Sequence, residues 1–368
     1  MVTEAHLVVQ GGARAGVAVP CGLQPVVIGA DAASELALPD PGVSARHAQV
    51  SPTAGGLVLR DLDSTGGTFV GDRRVREAFV HPGSVVRIGA TSLRIELRAR
   101  AGQLPPSAAP RFGRLVGKSP RMRALFALLE QLAKVEASVL ITGLSGTGKE
   151  LVARSIHETS PRASAPLAVL DCAATDRARA ELFGHEANGY PGAVGRRAGV
   201  FEQAQGGTVF LDHVGALPAD LQPLLQRALE SREVRRLGGN ASIKLDVRVL
   251  TATDRPVTEL VAAGSFREDL YLRLFQVELT LPPLEERRED IPLLVDAILG
   301  SLPMPKTLAP DALAVLATAA FPGNVRQLRS IVERAAMMAR GPLIEKAHLI
   351  LTGGEEKKRS GRSALPRG

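Results

Sequence analysis

The residues best suited to chemistry are Gly143-Leu144-Ser145-Gly146-Thr147-Gly148-Lys149-Glu150, a glycine-rich run ending in a lysine. Glycines let successive backbone N–H groups converge on phosphate oxygens, and the lysine adds a point charge beside them. The run follows Val139-Leu140-Ile141-Thr142, which reads as a strand, and precedes a helical pattern through Leu151, Val152 and Ile156. That setting brings a helix N-terminus to the same phosphates. Gly143, Ser145, Gly146, Thr147, Gly148, Lys149 and Glu150 are therefore the candidate nucleotide ligands, with ATP and Mg2+ as the expected cofactors. The generic motif has Ser or Thr after the lysine to hold the metal, where this chain has Glu150. Further on, Thr208-Val209-Phe210-Leu211-Asp212-His213 is an apolar strand ending in an acid. Asp212 stands where such enzymes keep the Mg2+-organising carboxylate. The next position, normally a carboxylate that activates water, is His213. A neutral imidazole accepts a proton near pH 6.5 but does not bring the same negative charge beside a metal. Severely reduced hydrolysis is the expectation, with His213 as a substitute base the alternative.

These residues need a frame. The chain has 368 residues, 45% of them hydrophobic and 23% charged, enough for two or three cored domains and too apolar for wholesale disorder. Aromatic residues are only 3% with no Trp, which argues against an aromatic nucleic-acid platform. The net charge of +7 permits an acidic partner without requiring one. Cys21 and Cys172 lack any paired spacing and read as buried thiols in a reducing cytosol. No apolar run is long enough to span a membrane and the N-terminus has no secretion pattern, so a cytoplasmic protein is expected.

Residues 1–100 show short strands punctuated by Gly, Pro and Asp, the pattern of an all-β sandwich. Residues 101–113 read as a linker. Over 114–282, apolar strands alternate with helical segments, which predicts a mostly parallel sheet with helices on its faces. Residues 283–351 carry helical signals only, and 352–368 form a charged tail of low apolar content, expected to be disordered.

From about Val116 to Arg340 the chain resembles the AAA+ central domain of bacterial enhancer-binding proteins, the ATP-driven activators of sigma-54 RNA polymerase. The matching words are Glu150-Leu151-Val152-Ala153-Arg154, Glu181-Leu182-Phe183-Gly184-His185-Glu186, Phe266-Arg267-Glu268-Asp269-Leu270-Tyr271, Leu281-Pro282-Pro283-Leu284 and Phe321-Pro322-Gly323-Asn324-Val325-Arg326-Gln327-Leu328. The resemblance implies an α/β nucleotide-binding subdomain with a helical lid, and a Glu after the loop lysine is common in that family. It also implies that Arg267 and Arg273 reach a neighbouring subunit's γ-phosphate and that Arg326 is the lid sensor. The family's GAFTGA loop, which contacts sigma-54, has its counterpart in Asn188-Gly189-Tyr190-Pro191-Gly192-Ala193. Tyr190 keeps the aromatic, Gly192 the glycine, and Pro191 replaces the threonine. Proline removes a hydroxyl and a backbone donor, which weighs against sigma-54 polymerase as a partner. The usual Thr-Asn sensor is Thr253-Asp254, an acid near the γ-phosphate. The residues after Leu351 are too few for the family's helix-turn-helix, so no intrinsic DNA-binding domain is expected.

The N-terminal region resembles a forkhead-associated (FHA) domain, a binder of phosphothreonine peptides, through Ile28-Gly29, Ser44-Ala45-Arg46-His47 and Asp61-Leu62-Asp63-Ser64-Thr65-Gly66-Gly67-Thr68. The family's phosphate-pairing Arg is here Ala30 and its peptide-holding Asn is Gly66. Ser44 and Arg46 are the remaining candidates for phosphate, and His47 matches the family's structural histidine.

Together these readings predict an ATP-binding, hydrolysis-poor AAA+ transcriptional regulator with an FHA signalling domain. It would act through nucleotide-dependent assembly, in a ring of its own copies or of related subunits, or through phospho-dependent protein interaction. The alternatives are an active, ATP-hydrolysing sigma-54 activator without its own DNA-binding domain, and a phosphothreonine-binding adaptor.

Overall fold

The computed structural model describes residues 2–12, 14–53, 56–99, 105–173, 177–190, 192–193, 195–274 and 276–351. Pro191, the first linker residues and the tail lie outside the described residues. The N-terminal region is a two-sheet sandwich. One sheet orders Leu36–Ala37, Val26–Gly29, Ala48–Thr53, Gly56–Asp61 and Glu77–Val80. The other runs through Val2–Val9, Thr91–Ala99, Val85–Ile88, Thr68–Val70 and Arg73–Val75. Alternation makes the core: Leu7, Val9, Ile28, Val50, Leu59, Val86, Ile88, Leu93 and Ile95 point inward and are buried.

The central domain is a parallel sheet ordered Leu167–Asp171, Thr208–Asp212, Arg248–Thr253, Val139–Thr142 and Val277–Thr280. Helices cover both faces, so Val139–Thr142 is buried along its whole length rather than alternating. Val277–Thr280 is a strand the sequence pattern did not single out. Arg248 opens its strand in full burial, donating to the carbonyls of Ala137 (3.1 Å) and Leu132 (2.9 Å). It thereby ties the end of helix Pro120–Leu132 to the sheet, and burial pushes its guanidinium down to about 10. The linker is partly built: Arg111–Phe112 pairs with Leu115–Val116, and Phe112 and Leu115 join the core under Pro120–Leu132. The lid packs Ile291–Leu299 against both Pro310–Thr318 and Asn324–Met338.

The two domains share a sheet. Val2–Val9 pairs antiparallel with Val277–Thr280, in the register Thr3 to Glu278 and Glu4 to Val277, while its other edge pairs with Thr91–Ala99. Ala5 N–H donates to the Gln276 carbonyl at 3.1 Å, and a side chain at Gly22 would lie 3.1 Å from that same oxygen. Leu23 enters the central domain's core. At the far side of this contact, the guanidinium of Arg273 lies over the ring of Phe79, 4.9 Å from its centroid.

Candidate functional site

Parallel strands present their C-terminal ends, and the loops after them, along one edge of the sheet. The phosphate loop follows Val139–Thr142 there, with Gly143, Gly146 and Gly148 at φ of 148°, 78° and 108°. These are left-handed conformations that glycine adopts without steric cost. Lys149 is buried, its Nζ donating to the carbonyls of Gly143 (2.8 Å) and Leu144 (3.4 Å). Burial lowers its ammonium below the ordinary lysine value, while Asp212 and Asp254 oppose that shift and Arg326 adds to it. Lys149, Asp212, Asp254 and Arg326 thus share one electrostatic neighbourhood. Thr147 Oγ1 donates to the Leu144 carbonyl at 2.8 Å, and Glu150 is occupied by an exposed ion pair with Arg154 at 2.7 Å.

The lid grips this loop directly. Arg326 donates from Nη1 to Ser145 Oγ at 3.1 Å and from its backbone to the Gly146 carbonyl at 3.2 Å. Two residues the motif reading passed over complete the grip. Asn324, buried at a left-handed φ of 51°, donates to the Ser145 carbonyl (3.0 Å) and accepts from Leu284 N–H (2.8 Å). Buried Arg287 donates to the Thr147 carbonyl at 2.9 Å. Asn324 stands inside Phe321-Pro322-Gly323-Asn324, so a polar residue after a glycine turn was a usable signal. Arg287 sits within Glu285-Glu286-Arg287-Arg288-Glu289-Asp290, which reads as a solvated charge run and gave none.

At the end of the neighbouring strand, Asp212 Oδ1 accepts the His213 backbone N–H at 2.9 Å. His213 is left-handed (φ 51°), and its Nδ1 lies 2.9 Å from Asp171 Oδ1. Asp171 ends the adjacent strand in register with Asp212 and was not anticipated. Asp254 is exposed, and Thr253 is turned into a local turn, donating to the Arg255 carbonyl at 3.0 Å. Among the described residues no group of three or more ligating side chains is arranged for a metal.

The two finger candidates part company. Arg267 is exposed and paired with Asp269 at 2.6 Å. Arg273 is 8% exposed, with Nη2 donating to the Leu229 carbonyl (3.3 Å), Phe79 over it, and burial lowering its guanidinium. In the loop of Tyr190 and Gly192, the Tyr190 ring meets His185 edge-on at 5.1 Å, and Ala193 N–H donates to the Tyr190 carbonyl at 3.0 Å. A side chain at Gly189 would fall 2.3 Å from the Leu237 carbonyl, so that close backbone crossing needs glycine.

In the sandwich, Ser44 Oγ accepts from Thr65 N–H at 3.1 Å. Ser44 N–H donates to His47 Nδ1 (3.1 Å), and His47 Nε2 donates to the Gly67 carbonyl (3.2 Å). Buried His47 therefore clamps the two loops together. Gly66 crosses Gly42 so closely that a side chain there would lie 2.6 Å from the Gly42 carbonyl, leaving no room for an Asn in this conformation. Arg46 is exposed, and Arg74, not anticipated, lies against Gly67.

Residues 115–280 match the sigma-54 interaction domain family, 285–365 the AAA+ ATPase lid domain and 26–89 the FHA domain. The central domain is a sigma-54 interaction domain. Its relatives include the Nif-specific regulatory protein of Herbaspirillum seropedicae, 45% identical over 64% of this chain and 44% of the relative. The transcriptional regulatory protein ZraR of Salmonella typhimurium is 43% identical over 69% of this chain and 59% of the relative. The chain thus spans about half the length of these curated relatives. Among solved structures, NtrX from Brucella abortus in complex with ATP is 38% identical at a TM-score of 0.58, over 66% of this chain and 57% of that one. The α/β core, helical lid and all-β N-terminal sandwich are the folds of a sigma-54 interaction domain, an AAA+ lid domain and an FHA domain. No helix among the described residues is long and apolar enough to cross a membrane.

Proposed function

We propose that this protein is an ATP-binding transcriptional regulator of the sigma-54 type that hydrolyses ATP poorly and acts through nucleotide-dependent assembly of its own copies. The carrying observation is His213: the position after Asp212 holds an imidazole in place of a carboxylate. The groups that bind the ground state are all present, whereas the changed ones act later. Losing groups that act only in the transition state lowers turnover and spares affinity. Lys149 and the loop amides would hold the phosphates of ATP. Asp212 would hold Mg2+, which supplies charge neutralisation at the phosphates and takes its remaining ligands from phosphate and water. Arg326 and Asn324 would report the nucleotide to the lid.

Assembly would place Arg267 and Arg273 against a neighbour's nucleotide, where a rigid cation meets developing charge. In the single chain Phe79 lies over Arg273, so engagement needs the sandwich to shift. In sedimentation velocity, a non-hydrolysable ATP analogue should convert the wild type to a larger species, and Arg273→Ala should abolish that shift. Phe79→Ala should lower the protein concentration at which it occurs. Profiles unchanged by nucleotide would defeat the assembly reading. Hydrolysis measured beside binding tests the rest: saturable binding with turnover well below 1 s⁻¹ is expected, at the bottom of the usual enzyme range.

The FHA domain would take a phosphothreonine protein, with Ser44 donating its hydroxyl to phosphate and Arg46 supplying charge. Ser44→Ala is expected to weaken a phosphothreonine peptide selected from a library roughly tenfold, the worth of one charge-assisted hydrogen bond. A library without hits would leave the sandwich as an assembly element. A second reading, an active sigma-54 activator, draws its support from the Asp171–His213 contact.

A further inference from the structure

We infer that a basic cleft beside helix Gln222–Ser231 is a docking groove for an acidic segment of a partner protein, one that carries apolar side chains among its carboxylates. The groove needs neither ATP nor a phosphorylated partner, so it stands or falls apart from the function proposed above.

Three elements enclose a cleft of about 390 Å³: helix Ala178–Phe183, helix Gln222–Ser231, and the hairpin of strands Glu233–Val234 and Ile243–Lys244. That size falls within the range of ligand clefts, roughly 300–1,000 Å³. From the longer helix Leu224, Arg227, Ala228 and Ser231 line it, the i, i+3, i+4, i+7 spacing of a single face.

Its charge is one-sided. Arg179, Arg227 and Arg235 line the cleft and are exposed, and their guanidinium groups have no partner among the described residues. The fourth arginine, Arg236, is committed to Glu186 at 2.8 Å and to Glu202. Glu233, the lone carboxylate of the lining, already accepts the Ser242 hydroxyl. Between these charges the surface is apolar: Phe183, Ala228 and Val234 are buried, and Leu224 and Leu237 are half-buried.

Unpaired arginines around an apolar strip match carboxylates that flank apolar side chains, and arginine clusters are a recurring receptor for acidic segments. Nucleic acid fits less well. Its phosphates would use the arginines, but the floor is largely aliphatic and its one ring, Phe183, is buried, so a base finds no face to stack on.

The groove also borders the loop of Tyr190. Glu186 N–H donates to the Leu237 carbonyl and Leu237 N–H to the Gly184 carbonyl, both at 3.0 Å. Gly238 crosses Gly189 so closely that a side chain at 238 would fall 2.6 Å from the Gly189 Cα. A segment seated against Leu237 and Gly238 therefore braces that loop through its backbone. Such a grip does not depend on the threonine hydroxyl that Pro191 lacks.

The test titrates the full chain, without nucleotide, into a fluorescein-labelled peptide of repeating Glu-Glu-Leu and reads anisotropy at low salt, where exposed charges are least screened. Saturable binding is expected. Arg179→Glu, Arg227→Glu and Arg235→Glu should each weaken it about fivefold, the upper worth of an exposed ion pair, and together about a hundredfold. Arg94→Glu, at an exposed arginine of the sandwich, should change it by less than about twofold. A Glu-Glu-Ser repeat of equal length should bind about tenfold more weakly, having nothing to offer the apolar floor. Amide exchange over residues 184–190 should slow when the Glu-Glu-Leu peptide is bound.

No binding, an equal loss with Arg94→Glu, or a Glu-Glu-Ser repeat that binds as well would each overturn the groove. So would a DNA duplex that binds more tightly than the peptide with the same arginine dependence, which would make this a phosphate-backbone surface. Exchange over 184–190 unchanged by bound peptide would overturn the bracing of the Tyr190 loop.

Discussion

With Lys149 replaced by alanine, nucleotide affinity is expected to fall about a hundredfold or more, equivalent to about 3 kcal/mol. The side chain is buried, and Gly143 and Leu144 hold its ammonium in place from the loop's own carbonyls. Burial strips much of its hydration and thereby lowers its proton affinity. A phosphate arriving there meets a cation that is both positioned and poorly solvated, the condition under which a charge-assisted hydrogen bond is strongest. Alanine removes the charge and leaves the Gly143 carbonyl without its donor, while the Leu144 carbonyl keeps the Thr147 hydroxyl. Titration with a fluorescent ATP analogue reads the loss, and undiminished affinity would remove the phosphate loop as the site. Lys149→Arg is not a rescue, because a planar fork does not fit where a compact ammonium bridges two carbonyls.

The second large effect falls on stability. Asp290 is fully buried at the junction of linker, core and lid. Its Oδ1 accepts Lys118 N–H (2.6 Å) and Ser119 N–H (2.7 Å), and its Oδ2 accepts the Ser119 hydroxyl (2.8 Å). Ser119 in turn caps helix Pro120–Leu132 by accepting from Met122 N–H. One carboxylate thus anchors the start of the helix whose other end Arg248 holds. Asp290→Ala leaves two amides and a hydroxyl buried without acceptors, at a cost of about 3–5 kcal/mol. The melting temperature of the AAA+ part is expected to drop by roughly 10 °C. Nucleotide affinity should fall with it, since Arg287 carries the same segment to the phosphate loop. An unchanged melting curve would mean that the junction contributes no stability. Asp290→Asn should recover only part, because the amide's own donors would face Lys118 and Ser119.

How legible all this was depended on whether a residue's partner lay near it in sequence. The phosphate loop and its flanking strand and helix are local, and composition and spacing displayed them. The sandwich strands showed through the Gly, Pro and Asp turns that punctuate them, and the sigma-54 interaction domain through contiguous words. Asp171 was invisible for the opposite reason. An acid after an apolar strand is unremarkable until the sheet order sets it beside His213, and no spacing in a single chain reports that neighbour. Arg248, Arg287 and Asp290 were hidden differently, because charged residues read as surface and only the packed structure shows them buried against carbonyls and amides. Val277–Thr280 was missed because it is short, with an acid at its second position and a double proline soon after.

The strand pairing between Val2–Val9 and Val277–Thr280 carries a consequence for the protein's making. The first of these is synthesised before any of the α/β domain and the second only after most of it. The sandwich can close on its own local hairpins, with Ala18–Pro20 pairing the outer edge of its first strand from His6 to Val8, but Val2 to Glu4 on that edge wait for a partner far down the chain. Such an edge is a template for any passing strand, and slow, distant pairings are where nascent chains go astray. Trimming the sandwich away recreates the hazard from the other side, baring Val277–Thr280 at the margin of a parallel sheet. A shortened AAA+ fragment should therefore express as a stickier protein than the full chain.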